Sequence, residues 1–259
     1  MSSFALPKSL QGYTHQHFGT LGSTNTWLLE QAVAGHEGNH WVTAETQTMG
    51  KGSRGRSWTG TTGNLFASLL LLNPSVPSKF HELTFVAALA LQSAMVKAGL
   101  AQTRISLKWP NDVLIDGKKC SGVLLEGSSL PSNPHVVIGI GVNCASFPLQ
   151  TLHPATSLSA CGLDISAGEF FGLLAQAMGE QLGIWDKGQG FASTRQEWLE
   201  HAARLGELVS VQIPGHAKKD GRFVSIDDKG YMLLETETGA MERISTADVF
   251  FAAPQAGGT

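Results

Sequence analysis

The chain has 259 residues, 42% hydrophobic and only 15% charged; a disordered chain shows the opposite bias, so this one folds around a sizeable core. With 18 Lys+Arg against 21 Asp+Glu, the net charge of −3 argues against a surface built for nucleic acid or anionic membrane. Cys120, Cys144 and Cys161 make neither a disulfide framework nor a metal pair, and the N-terminus lacks a signal-peptide core, so a cytoplasmic protein is expected.

In chain order, a helix is predicted after Ser23-Thr24-Asn25, where a hydroxyl caps the run Trp27 to Ala34. Val42–Ala44 reads as a short strand entering a Gly-rich loop. LFASLLLL (65–72) is a buried strand that Asn73-Pro74 ends, and it is too short to span a bilayer. Over 79–98, Phe80, Leu83, Ala87, Leu91 and Met95 fall at helical spacing and predict an amphipathic helix. ISLKWPNDVLI (105–115) leads through an Asp116-Gly117 turn signal into KKCSGVLLE, and VVIGIGVN (136–143) is a further apolar strand. Two helices follow, each with capping-box spacing: Ser166 with Glu169, and Ser193 with Gln196. After Gly206 the texture changes to short alternating segments between PG, KKDG, DDKG and ETG turns, as in a small all-β module. The expected division is a helix-and-sheet domain over 1–205, a β module over 206–253 and a disordered tail over 254–259.

GKGSRGRSW (50–58) is the most informative stretch. Its glycines let the backbone approach a ligand, while Lys51, Arg54 and Arg56 suit phosphate or carboxylate oxygens and Trp58 offers a flat face. Three glycines and three like charges also predict a loop that stays loose until a ligand supplies counter-charge. Gly50, Gly52 and Gly55 satisfy the spacing of a dinucleotide fingerprint, but RSWTGTTGN is a poor helix start and residues 67–78 hold no Asp or Glu, so that reading fails. His36-Glu37-Gly38-Asn39-His40 matches the zinc-protease pattern H-E-x-x-H; glycines in and around it predict a turn rather than the required helix. In KWPND (108–112), Lys108 between Leu107 and Trp109 is partly desolvated unless it meets an anion. In GIGVN (139–143), glycines near the end of a buried strand mark either close packing or close approach of a ligand.

Taken in order, STN (23–25), Q-x-x-G-K-G-x-R-G-R-x-W from Gln47, KWPND, KCSGVLLE (119–126) and GIGVN resemble the biotin–protein ligases. The terminal β-rich stretch resembles that family's SH3-like module, so the resemblance spans nearly the whole chain. It implies an α+β fold: a mixed β-sheet flanked by helices, of the class II aminoacyl-tRNA synthetase-like kind shared by biotin and lipoate ligases, then a small SH3-like β-barrel. It also implies an enzyme that activates biotin with MgATP to biotinyl-5′-AMP, releases pyrophosphate, and transfers biotin to one lysine of a biotin carboxyl carrier protein. Lys108 and Arg56 are implied as catalytic. Ser23, Thr24, Asn25, Gln47, Lys51, Gly52, Ser53 and Lys108 match biotin-binding positions. Lys51, Arg54, Arg56, Trp58, Asn111, Lys119 and Asn143 match ATP-binding positions. Mg2+ then travels with the phosphates and needs no dedicated protein cage. Neither DNA nor membrane is an expected partner, and a homodimer is left open. The alternatives are a lipoate or octanoyl ligase of the same superfamily and a non-catalytic biotin sensor.

The family loop often reads G-R-G-R-R-G-R. Here Lys51 and Ser53 replace two of its arginines, and the charge lost at Ser53 is expected to loosen retention of the adenylate. Only 22 residues precede Ser23, too few for the helix-turn-helix domain of bifunctional members, so the monofunctional form is expected.

Overall fold

The computed structural model describes residues 4–7, 10, 12–58, 61–128, 133–151, 153–213 and 215–251; the expected tail, 254–259, lies outside the described residues. Among these, seven strands form the larger sheet: β1 (Tyr13–Leu21), β2 (Asn39–Gln47), β3 (Leu65–Leu72), β4 (Ile105–Lys108), β5 (Asp112–Ile115), β6 (Lys118–Ser128) and β7 (His135–Val142). Their spatial order is β1-β2-β3-β7-β6-β5-β4. β1 and β2 run parallel, joined through helix α1 (Thr24–Val33), and the other pairings are antiparallel, so the sheet is mixed as expected.

The continuous apolar run of β3 reflects burial on both faces. Alternate residues point to opposite sides of a strand. Leu70 accordingly joins Leu28 and Ala32 of α1, while Leu69 and Leu71 join helices α2 (Leu83–Lys97) and α3 (Ala167–Trp185). α2 departs from expectation in two ways. A 3-10 turn over Pro77–Glu82 precedes it, and the helix is buried on nearly every side rather than along one stripe. Packing between the sheet, α3 and α4 (Phe191–Glu200) leaves it little solvent face.

The two capping boxes fare differently. Ser166 and Glu169 exchange both bonds at the start of α3. Ser193 instead lies inside α4, which begins after Gly190 without a side-chain cap, and Gln196 donates forward to Glu200. β1 was not predicted: YTHQHFGTL is an edge strand whose polar and apolar residues do not alternate cleanly.

The smaller sheet holds β8 (Leu208–Gln212), β9 (Lys219–Ile226), β10 (Met232–Glu235), β11 (Met241–Ile244) and β12 (Asp248–Phe251), ordered β11-β10-β9-β8-β12 and antiparallel throughout, consistent with the expected SH3-like form. Val209, Val211, Phe223, Ile226 and Leu234 from this sheet share one core with α2 and α3. The Trp109 indole N–H donates to Gly230 O (3.1 Å), tying the KWPND turn to the β9–β10 connection. No helix among the described residues is long and apolar enough to cross a membrane.

Candidate active site

A cavity of about 580 Å³ opens between the large sheet and β12, and every site residue expected from the sequence lines it. Its floor is β7, where glycine is required at alternate positions. A Cβ at Gly139 would stand 2.3 Å from Asn25 Oδ1, and one at Gly141 would stand 2.3 Å from Trp58 Cε2. These two bare positions let Asn25 and Trp58 lie directly on the strand.

At one end the lining is neutral and polar. Ser23 caps α1, its Oγ accepting from Thr26 N, so the helix cap and a cavity wall are the same residue. Thr24 donates to Gln47 Oε1 through its backbone N–H (2.7 Å) and its hydroxyl (3.0 Å). Asn25 Nδ2 donates to Glu126 Oε2 at 2.9 Å, and Ser68 Oγ donates to Asn25 Oδ1 at 2.5 Å. The amide and hydroxyls are thus oriented before any ligand arrives, which lowers the ordering cost of binding.

At the other end cations gather. β4 and β5 form a hairpin turning through the cis Trp109–Pro110 bond, and its last register pair sets Lys108 opposite Asp112. Lys108 is only 5% exposed. Burial, with smaller contributions from Lys119 and Arg56, pushes its pKa down to about 8, although Asp112 and Asp248 oppose the shift. Its Nζ lies 5.0 Å from the Phe251 ring centre. Lys119 Nζ pairs with Asp112 Oδ1 at 2.5 Å and stands 5.4 Å from the Trp58 ring centre. Asn111 and Asn143 use their side-chain amides on the backbone, donating to Val123 O (2.6 Å) and Thr156 O (3.0 Å).

The Gly50–Trp58 loop is not left to repel itself, contrary to expectation, because the protein supplies its counter-charge. Arg54 Nη1 and Arg56 Nη1 reach the two oxygens of Asp248 at 2.5 and 3.0 Å, and Lys51 Nζ faces Glu126 Oε1 at 3.6 Å. Arg54 also donates to Thr246 Oγ1 at 3.1 Å while holding a left-handed φ of 59°. Ser53 does more than omit a charge: its Oγ and its carbonyl accept from Arg56 Nη2 (2.8 Å) and Nε (3.2 Å), aiming that guanidinium.

The sequence reading overlooked Ser68, Asp112, Glu126, His153 and Asp248. A lone polar residue in LFASLLLL was a legible signal for Ser68, and Asp112 sat inside a motif already singled out. Asp248 carried no local signal, since its partner Arg56 is 192 positions away. The His36/His40 pair forms no helical zinc site: His36 lies in the connection after α1 and His40 in β2, with ring centres 4.7 Å apart.

Comparison with known proteins agrees with this geometry. The biotin/lipoate A/B protein ligase family model matches residues 19–143, and the biotin protein ligase C-terminal domain model matches 205–252. The biotin–[acetyl-CoA-carboxylase] ligase of Paracoccus denitrificans is 40% identical over 237 residues, covering 88% of this chain and 97% of that relative. The bifunctional ligase/repressor BirA of Bacillus subtilis is 31% identical over 95% of this chain and 76% of its own length. Among solved structures, the Aquifex aeolicus biotin protein ligase in complex with biotin and ATP superposes with a TM-score of 0.76 at 27% identity, covering 92% of this chain and 97% of that one. Identity sustained across both sheets, together with a cavity lined by every motif of the ordered series, makes this chain a member of the biotin protein ligase family.

Proposed function

We propose that this cavity joins biotin to ATP, forming biotinyl-5′-AMP, and then passes the biotinyl group to one lysine of a biotin carboxyl carrier protein. The observation that carries the reading is a nearly buried ammonium, Lys108, in the cationic part of a cavity whose other end is lined by neutral polar groups. In the first step a carboxylate oxygen of biotin attacks the α-phosphorus, the bond to the β-phosphate breaks, and pyrophosphate leaves. Two anions must approach for this, and Lys108 offsets their repulsion at low local dielectric, where its charge acts most strongly. In the second step the carrier amine attacks the acyl carbon, the bond to the adenylate oxygen breaks, and AMP leaves as the amide forms.

Ser23, Thr24, Asn25 and Gln47 offer donors and acceptors suited to a ureido ring, which has both. A dithiolane or an alkyl chain has neither and would gain nothing from this polar lining, which disfavours lipoate and octanoate. Lys119, Arg54 and Arg56 are proposed to exchange their carboxylate partners for nucleotide phosphates, with Trp58 beside the adenine. Lys51, Gly52 and Ser53 follow the same loop over biotin, while Asn111 and Asn143 hold the nucleotide-side walls in place. Mg2+ enters as MgATP, held by phosphates.

The same division is proposed for the chain, 1–205 for the reaction and 206–253 as the module that supplies Asp248. A cytoplasmic setting suits free thiols at Cys120, Cys144 and Cys161. The reading holds equally for a monomer and a homodimer, and it includes no DNA. The test is incubation with biotin, MgATP and a carrier domain, following pyrophosphate and carrier mass. Turnover of lipoate but not biotin would replace this reading with the lipoate one.

A further inference from the structure

His153 lies outside every sequence motif, yet its side chain lines the cavity with Lys108, Asp112, Lys119 and Asp248. Its position is fixed from three directions. Lys119 N donates to Pro154 O (2.8 Å) and Thr156 N donates back to Lys119 O (2.9 Å), strapping this segment to β6. Asn143 Nδ2 holds Thr156 O from the end of β7. The imidazole packs on Phe250 of β12, ring centres 5.1 Å apart. Pro154 restricts the His153 backbone to extended geometry, and the contact with Phe250 holds the ring itself.

The charged groups around it come from each neighbouring element: Lys108 on β4, Asp112 on β5, Lys119 on β6 and Asp248 on β12. Arg56 lines the same cavity from the loop, and Lys218 lies over the Phe250 ring at 5.3 Å. Burial first, then Lys108 and Lys119, hold the His153 pKa down to about 4 against the opposing pull of Asp112 and Asp248. The ring is therefore neutral at pH 7 in the free protein. Phosphates entering between Lys108 and Lys119 reverse that balance, because they offset the two cations and add an acceptor.

We propose that His153 is a further substrate-contacting residue of this site, donating to the nucleotide's phosphates as an imidazolium once they enter the cavity. The proton comes from solvent, and no substrate bond is made or broken in the step. The proposal rests on the adenylation reading above and adds to it a residue and a coupled proton. The sign follows from linkage: a group whose pKa rises on binding strengthens binding at low pH, and the gain fades as pH climbs through the raised value.

The test compares wild type with His153→Gln, which keeps a donor but cannot titrate, and His153→Phe, which keeps the contact with Phe250. Each protein is titrated with Mg2+ and α,β-methylene-ATP in the presence of biotin, in paired buffers of different ionisation enthalpy. Were the ring restored to the ordinary histidine value near 6.5, wild type would take up about half a proton or more per site at pH 6 beyond either variant. The affinity advantage of wild type over His153→Gln would shrink about tenfold between pH 5.5 and 7.5, since the nucleotide's own titration is common to both. Equal proton uptake in wild type and His153→Gln, or a pH-independent affinity ratio, overturns the proposal. Failure of wild type to release pyrophosphate from biotin and MgATP overturns the adenylation reading instead, so the two failures are distinguishable.

Discussion

Lys108 sets a stability cost against its proposed catalytic use. Its folded pKa of about 8 lies below the ordinary lysine value, so the unfolded chain holds the proton more tightly. The charge therefore lowers stability at pH 7, and the cost fades only as pH rises from about 8 toward the ordinary lysine range. Lys108→Met is expected to leave Tm unchanged or raised by roughly 2–6 °C in calorimetry, while pyrophosphate release falls at least about 100-fold. In wild type, kcat/KM for adenylation is expected to decline above pH of about 8 as the ammonium deprotonates. Lys108→Arg, although slower, should lack that decline because a guanidinium keeps its proton. A wild-type profile flat to pH ~10, near the unperturbed lysine pKa, would remove Lys108 from the charge-bearing role.

Strand β7 organises the site at the scale of an element. Its register against β3 and β6 puts Gly139 under Asn25 and Gly141 under Trp58, so one strand face serves both ends of the cavity. Gly141→Ala is expected to displace Trp58 and raise the KM for ATP about tenfold, near the 1–3 kcal/mol of an overpacked contact, with the KM for biotin little changed. Gly139→Ala should do the reverse, through Asn25. Pyrophosphate release with each substrate varied in turn separates the two, alongside circular dichroism to confirm the fold. If both substitutions moved the same KM, the strand would not divide the cavity between two substrates. The glycines and the apolar run were plain in VVIGIGVN. Which side chain each glycine admits was not, because that depends on a helix start and a loop far away in sequence.

At the scale of the whole molecule, β12 closes the ligand-free loop. Asp248 takes both Arg54 and Arg56, joining the small sheet to the segment that lines the cavity. These groups are partly exposed, so each pair contributes at most about 1 kcal/mol. Asp248→Asn is therefore expected to speed tryptic cleavage at Arg54 and Arg56 by roughly fivefold without ligand, with Tm lowered by only about 2–4 °C. Biotin with MgATP should restore protection in both proteins, because phosphates replace the carboxylate. Unchanged cleavage without ligand would mean that the loop is held by its own turn alone, through Gly52 N to Arg56 O and Trp58 N to Gly50 O. In the same way, Ser53 cannot be judged by its missing charge. Ser53→Arg adds a cation but removes the hydroxyl, one of the two acceptors that aim Arg56, so release of labelled adenylate is the measurement that decides between the two effects.

The sequence by itself determined the buried strands β3 and β7, the capped starts of α1 and α3, the change of texture after residue 206 and the ordered motifs that line the cavity. These are local properties: side-chain period, cap chemistry and turn residues act within about ten positions. Only the tertiary structure decided that β1 pairs at the sheet edge, that Ser68 and Glu126 orient Asn25, and that Asp248 and His153 join Lys108 in one site. The reason is physical. A carboxylate or an imidazole carries no address in its own segment, and Asp248 reaches Arg56 across 192 positions only because two sheets pack on one core. Burial works the same way, since a lysine in KWPND becomes a nearly solvent-free ammonium only when the fold brings Phe251 of the small sheet against it.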